Sequence, residues 1–249
     1  MNGQLALNII FDLISAAIFI YVGLRLGERS ISEPADRLAW AGLRALWIAL
    51  GAGILLASLS TFLALLGLAA LPLHISLSFL NLLSTCIALW GLLFYLVYVY
   101  SGKQRLAWPI AGFYLVFFIA LVALSLSREA LSLEIGSNGA SINYAGEINA
   151  AFGLTIILVV LLPQLIASLV YFSLVFRVKE RSQKYRVVLV STTILAWFGS
   201  ALVAAFVGLT GTEWWPFASR LISLLVAVLI YWAYFPPGFV QRRLEIQGI

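Results

Sequence analysis

One cysteine, one histidine and one methionine are all that the 249 residues contain of those types, and charge is almost as scarce. Lys, Arg, Asp and Glu make up 10% of the chain, where an ordinary soluble domain carries about 25%. Each shortage excludes something. Cys86 alone forms no intrachain disulfide, and within an apolar stretch it reads as a small packing residue. A lone His74, assigned to a short loop, supports neither a bis-histidine haem site nor a typical zinc site. The only lysines are Lys103, Lys179 and Lys184, all in polar stretches. The last apolar segment, LISLLVAVLIYW, therefore has no Schiff-base lysine for retinal. No His, Asp and Glu cluster exists for intramembrane proteolysis or lipid hydrolysis. Neither catalytic residues, a metal site nor a cofactor is expected, and no enzyme.

What the chain has is apolar length. Hydrophobic residues make up 63%, gathered in runs near 5–24, 45–68, 76–99, 107–127, 150–176, 187–209 and 217–235. Each run can cross a hydrocarbon core of about 30 Å at 1.5 Å per residue. Between and after these runs the basic residues fall on alternate sides very unevenly. Arg25, Arg29, Arg37, Arg44, Lys103, Arg105, Arg177, Lys179, Arg181, Lys184, Arg186, Arg242 and Arg243 share one side, and only Arg128 and Arg220 take the other. The positive-inside rule then predicts an outside N-terminus and a cytosolic C-terminus. The net charge of +5 is read as topology signal and contact with anionic lipid headgroups, and nucleic acid is not an expected partner. The basic residues follow the first run, so it is expected to be a retained helix and no cleaved signal.

The predicted fold is all-α: a polytopic bundle of seven transmembrane helices, one integral membrane domain over 1–249, in the cytoplasmic (inner) membrane. The outer loop between helices 4 and 5, SREALSLEIGSNGASINYAGEIN, alternates Leu131, Leu133 and Ile135 with polar residues, then Gly-Ser-Asn-Gly, then Ile142 and Tyr144. That pattern predicts a small β-hairpin over the outer mouth of the bundle.

Residues 12–30 and 164–182 align without a gap, sharing Leu-Ile and then R-x-x-E-R-S, at Arg25–Ser30 and Arg177–Ser182. This suggests a 3+1+3 parallel repeat. Pro163 and Gln164 open the second copy and are a candidate helix kink, because proline removes a backbone donor. Asp12 is the only acid well inside a predicted helix, and Arg220 the only base inside an outer helix end; they are expected to pair across the first and last helices. Asn81, Ser84, Thr85, Ser191, Thr192 and Thr193 are candidates for bonds between helices. Trp40, Trp214 and Trp215, with Tyr231, Trp232, Tyr234 and Phe235, are expected at the interfaces. Pro236 and Pro237 with Gly238 should end the last helix, before Phe239, Arg242 and Arg243 at the cytosolic junction.

Two resemblances rest on specific residues. The stretches KYRVVLVSTTILAWFGSAL (184–202) and YFPPGFVQRRL (234–244) resemble the N-terminal seven-helix membrane region of bacterial sensor histidine kinases and related signalling proteins. The resemblance implies a sensory module that relays a ligand or membrane signal through the last helix to a cytosolic effector. About a dozen residues follow that helix and include no output domain, so the chain is either the membrane part of a longer receptor or a stand-alone protein. The repeat and Pro163-Gln164 are similar to the architecture of PQ-loop and SWEET carriers, although Phe11-Asp12 stands where the first copy would carry the motif. A third class, an accessory subunit of a larger membrane complex with partner membrane subunits, needs no site at all. The sensory reading is the favoured expectation.

Overall fold

The computed structural model describes residues 3–27, 34–136, 139–145, 157–208 and 215–244. Among the described residues six helical segments are long and apolar enough to cross a membrane: Gly3–Gly27, Arg37–Leu65, Leu71–Ser101, Gln104–Leu126, Leu158–Phe176 and Phe217–Tyr234. A two-stranded hairpin accompanies them. The chain falls into two compact units, Met1–Thr155 and Ile156–Ile249.

The first unit contains α1 (Gly3–Gly27), α2 (Pro34–Leu65), α3 (Leu71–Ser101) and α4 (Ala107–Leu126), then β1 (Ala130–Gly136) and β2 (Gly139–Tyr144). Helix α2 begins eleven residues before the apolar run expected at 45. The apolar window missed this end because charged Asp36, Arg37 and Arg44 are interleaved with buried Ala39, Leu43, Leu46 and Trp47, the three-to-four spacing of an amphipathic helix. Its other end stops at Leu65, short of the expected 68. There Gly67 takes φ 80°, Leu68 N–H donates to Leu63 O at 3.0 Å and Gly67 N–H to Ala64 O at 3.0 Å. This is a Schellman stop, whose left-handed residue favours glycine. Helix α3 starts at Leu71, five residues before the expected 76, with Pro72 in its first turn, where a missing N–H costs nothing. His74 is consequently a helical residue and not a loop residue. Gly102, at φ 67°, closes α3 by donating to Tyr98 O.

Glycines set how closely these helices approach. A Cβ on Gly42 would lie 3.1 Å from Gly91 O, and one on Gly91 would strike Gly42 O. On the opposite flank of α2, a Cβ on Gly51 would lie 2.8 Å from Ala16 O, and one on Gly23 would meet the Ile48 side chain. Contacting positions step in opposite directions along each pair: Gly23 with Ile48, Gly51 with Ala16, and Ser58 with Asp12 on the α1 side. On the α3 side they are Gly42 with Gly91, Gly53 with Asn81, and Ser60 with His74. Helix α2 is thus antiparallel to both neighbours. Phe19 stacks on Trp47, rings 5.8 Å apart and 5° from parallel, which adds on the order of 1 kcal/mol beyond area burial.

Strands β1 and β2 pair antiparallel from Ala130↔Tyr144 to Gly136↔Gly139, with a register shift between Ala130 and Ser132. The expected hairpin is therefore present.

The second unit opens with a five-residue π-helical turn, Ile157–Leu161, and continues as α5 (Leu162–Ser173), a tight turn at Leu174–Phe176, α6 (Arg181–Gly208), α7 (Trp215–Tyr234) and α8 (Gly238–Leu244). The first residues of the run expected at 150–176 lie outside those described. Helix α6 is 28 residues long. It starts six residues before the expected run, because Arg181, Lys184 and Arg186 continue the helix past its apolar part. A helix follows Pro236-Pro237, where the sequence suggested only an end.

The core is mainly apolar, but it also encloses polar groups, and large apolar side chains lie on the surface. Asn8, Asp12, Ser15, Ser58, Ser60, Thr61 and His74 are buried, while Val116, Leu126, Phe176 and Phe239 are exposed. Lipid satisfies that surface; water would not. The close α2–α3 crossing predicts that Gly91→Ala lowers stability in detergent by about 1–3 kcal/mol. Gly112→Ala, where nothing lies within 4 Å of the new carbon, should stay within about 0.5 kcal/mol of the parent in the same thermal melts.

Candidate functional site

Four consecutive residues near the end of α2, Ser58-Leu59-Ser60-Thr61, place polar groups on three different neighbours. Ser58 Oγ donates to the Asp12 carboxylate of α1 at 3.1 Å. Ser60 Oγ lies 2.7 Å from His74 Nδ1 of α3. Thr61 Oγ1 donates to Ala57 O at 3.1 Å and accepts the Ala140 N–H of β2 at 3.1 Å. One turn of helix thereby ties α1, α3 and the hairpin to α2.

His74 is fully buried. Its Nε2 lies 2.9 Å from Leu68 O, and a carbonyl only accepts, so Nε2 carries the proton. Nδ1, the other ring nitrogen, is the atom that meets the Ser60 hydroxyl. The imidazole closes the α2–α3 turn from inside. Asp12 sits on the buried face of α1 with Asn8 and Ser15, one turn to either side. Ser15 Oγ donates to Phe11 O at 2.7 Å.

The hairpin rests on this end of α2. Gly139 has φ 112°, and a Cβ there would strike Thr61 Oγ1, so glycine serves both the backbone angle and the close approach. At its base Ala145 N–H donates to Glu129 O at 2.8 Å. Arg128 Nε donates to Ala145 O at 3.1 Å, and its guanidinium lies 5.6 Å from the centre of the Tyr144 ring.

In the second unit Arg220 lies on α7, so it and Asp12 belong to different units. Pro163 and Gln164 sit in the first turn of α5, directly after the π-helical turn. A π turn shifts the backbone bonding pattern just where Pro163 has no N–H to give. Gln164 is buried, and its carbonyl accepts the Ser168 hydroxyl at 2.8 Å. Pro236 and Pro237 separate α7 from α8. Arg242 and Arg243 are exposed in the last turn of α8, one helical turn from exposed Phe239. The end of α7 is held by α6: Arg186 Nε donates to Ala233 O at 3.4 Å, and Tyr185 Oη makes a long bond of 3.5 Å to Trp232 O. Burial pushes the Tyr185 phenol above its ordinary range.

Other sequence candidates bond locally. Ser84, Thr85, Ser191 and Thr193 donate to the carbonyls four residues earlier, Leu80, Asn81, Val187 and Leu189. Tyr234 is buried, whereas Tyr231 and Trp232 are 37% and 40% exposed. Trp214 and the Glu28–Ser30 part of the repeat lie outside the described residues. The Ser58–Thr61 group was missed by sequence reasoning; its signal was four residues with three hydroxyls inside an otherwise apolar run.

Among the described residues no group of three His, Cys, Asp or Glu is placed to hold a metal ion. No known family model and no curated protein matches the chain.

Thr61→Val keeps shape and removes the acceptor for Ala140. The Ala140 amide should then exchange about tenfold faster, a loss of roughly one hydrogen bond, with α1–α3 amides unchanged. An unchanged Ala140 rate means that another contact holds the hairpin. Ser60→Ala should cost about 1–2 kcal/mol in thermal unfolding, because it removes a partner of a buried imidazole.

Proposed function

We propose that the chain is a non-enzymatic seven-helix membrane module of the bacterial sensory type. It crosses the inner membrane with its N-terminus outside and its C-terminus in the cytosol, α6 supplying the seventh crossing. A ligand or a membrane signal acts on the bundle or its hairpin, and the last helix relays the response to a cytosolic effector. The observation that carries this reading is the join after α7. The helix stops at Tyr234 under the hold of Tyr185 and Arg186, Pro236-Pro237 turn the chain, and a basic helix follows. Such a junction suits a helix whose position must be reported beyond the membrane. The likeness of residues 184–202 and 234–244 to the membrane region of sensor histidine kinases supports the same role.

An accessory-subunit reading is favoured by α4. That helix buries only a narrow stripe through Ala107, Tyr114, Phe117 and Leu121, and exposes Trp108, Phe113, Leu115, Val116 and Ile119. A neighbouring subunit would cover such a face.

Orientation is tested by fusions. Alkaline phosphatase inserted between Gly136 and Gly139 should be active, and green fluorescent protein joined after Ile249 should fluoresce. The reverse pattern overturns the topology. Role is tested by isolating the native protein from its own membranes in mild detergent and weighing it. A polypeptide well above 27.3 kDa, or a stoichiometric cytosolic protein bound to it, supports signalling. Stable integral membrane subunits in its place support the accessory role. The Asp12–Arg220 pair belongs to the proposal as well: single reversals should destabilise the protein by several kcal/mol, and the double reversal Asp12→Arg with Arg220→Asp should recover it. No recovery removes the pair.

A further inference from the structure

From its exposed face we infer that α8 is an interfacial helix that docks on anionic phospholipid headgroups at the membrane surface where α7 ends. In Gly238–Leu244, Val240 and Gln241 are half-buried, and the Gln241 carboxamide donates to Pro236 O at 2.7 Å, folding the helix back against the turn. The other face presents Phe239, 70% exposed, with Arg242 and Arg243 three and four residues on. Three and four residues bring side chains to one side of a helix. A phenyl ring so exposed is poorly placed in water, and two guanidinium groups are poorly placed in hydrocarbon. The headgroup boundary is where both are satisfied, the ring dipping toward the acyl chains and each guanidinium forking onto a phosphate.

The same combination recurs. Trp108, 78% exposed, follows Arg105 at the start of α4, and Phe176, 81% exposed, precedes Arg177 after α5. These positions lie beside segments that carry nine of the fifteen basic residues, so the complementary surface is an anionic one. The two arginines are attracted to such a leaflet, an effect that salt screens. Docking of α8 would fix the depth at which α7 ends. This inference rests on the membrane-spanning reading of α7, and it is independent of any effector.

The experiment is hydrogen exchange on the full chain in nanodiscs of phosphatidylcholine alone or with phosphatidylglycerol. Amides of 238–244 should exchange on the order of tenfold more slowly when the anionic lipid is present. That protection should disappear in Arg242→Gln/Arg243→Gln and shrink in Phe239→Ser. Amides in the middle of α7 should be equally protected in every sample. Equal exchange of α8 in both lipids, with α7 protected, overturns the docking while leaving the membrane reading intact. Rapid exchange throughout α7 overturns the membrane reading and the docking together.

Discussion

The first unit depends on how closely α2 can approach its neighbours. In a bilayer the hydrophobic effect gives one apolar helix no reason to prefer another over lipid, so association comes from packing and from hydrogen bonds. Glycine makes that packing available. At Gly42 and Gly91 the α2 and α3 backbones meet almost directly, and Gly23 of α1 and Gly51 of α2 do the same between α1 and α2. Without these absent side chains the helices would stand farther apart. The short side chains of Ser58 and Ser60 would then not reach Asp12 and His74.

The buried polar groups follow from that proximity. A carboxylate and an imidazole inside an apolar bundle are costly unless each finds a partner. Here the partners come from one helical turn of α2 and from a carbonyl in the adjoining reverse turn. The hairpin completes the arrangement, since the Ala140 N–H would otherwise face Thr61 without a bond. An outer surface of Leu, Val, Ile and Phe encloses this interior.

The existence of the long helices was legible because a membrane crossing demands length and apolarity, and both are written in consecutive residues. The hairpin was legible through alternation and a Gly-Ser-Asn-Gly turn. Helix ends were less so. Helix α2 runs eleven residues beyond its apolar run because Asp36, Arg37 and Arg44 share it with buried leucines and tryptophan, and hydropathy averages over faces. Its stop at Gly67 is a matter of backbone angle, which a single glycine among leucines announces only weakly. His74 was misplaced for the same reason: Leu71-Pro72 looked like loop and is a helix start. The Ser58–Thr61 group was invisible as a site because hydroxyls inside helices usually bond their own backbone. Ser84, Thr85, Ser191 and Thr193 do just that, and nothing in a linear pattern separates the two behaviours.

The three partners of Ser58, Ser60 and Thr61 have one mechanical consequence. Successive residues of a helix project about 100° apart, so these side chains splay around the α2 axis toward a helix on each flank and a hairpin. Turning α2 about its own axis would pull at least one of them away whichever direction it took. The bonds act as a torsional lock, and the cheapest remaining motion is a tilt or slide in which α1, α2, α3 and the hairpin travel as one rigid plate.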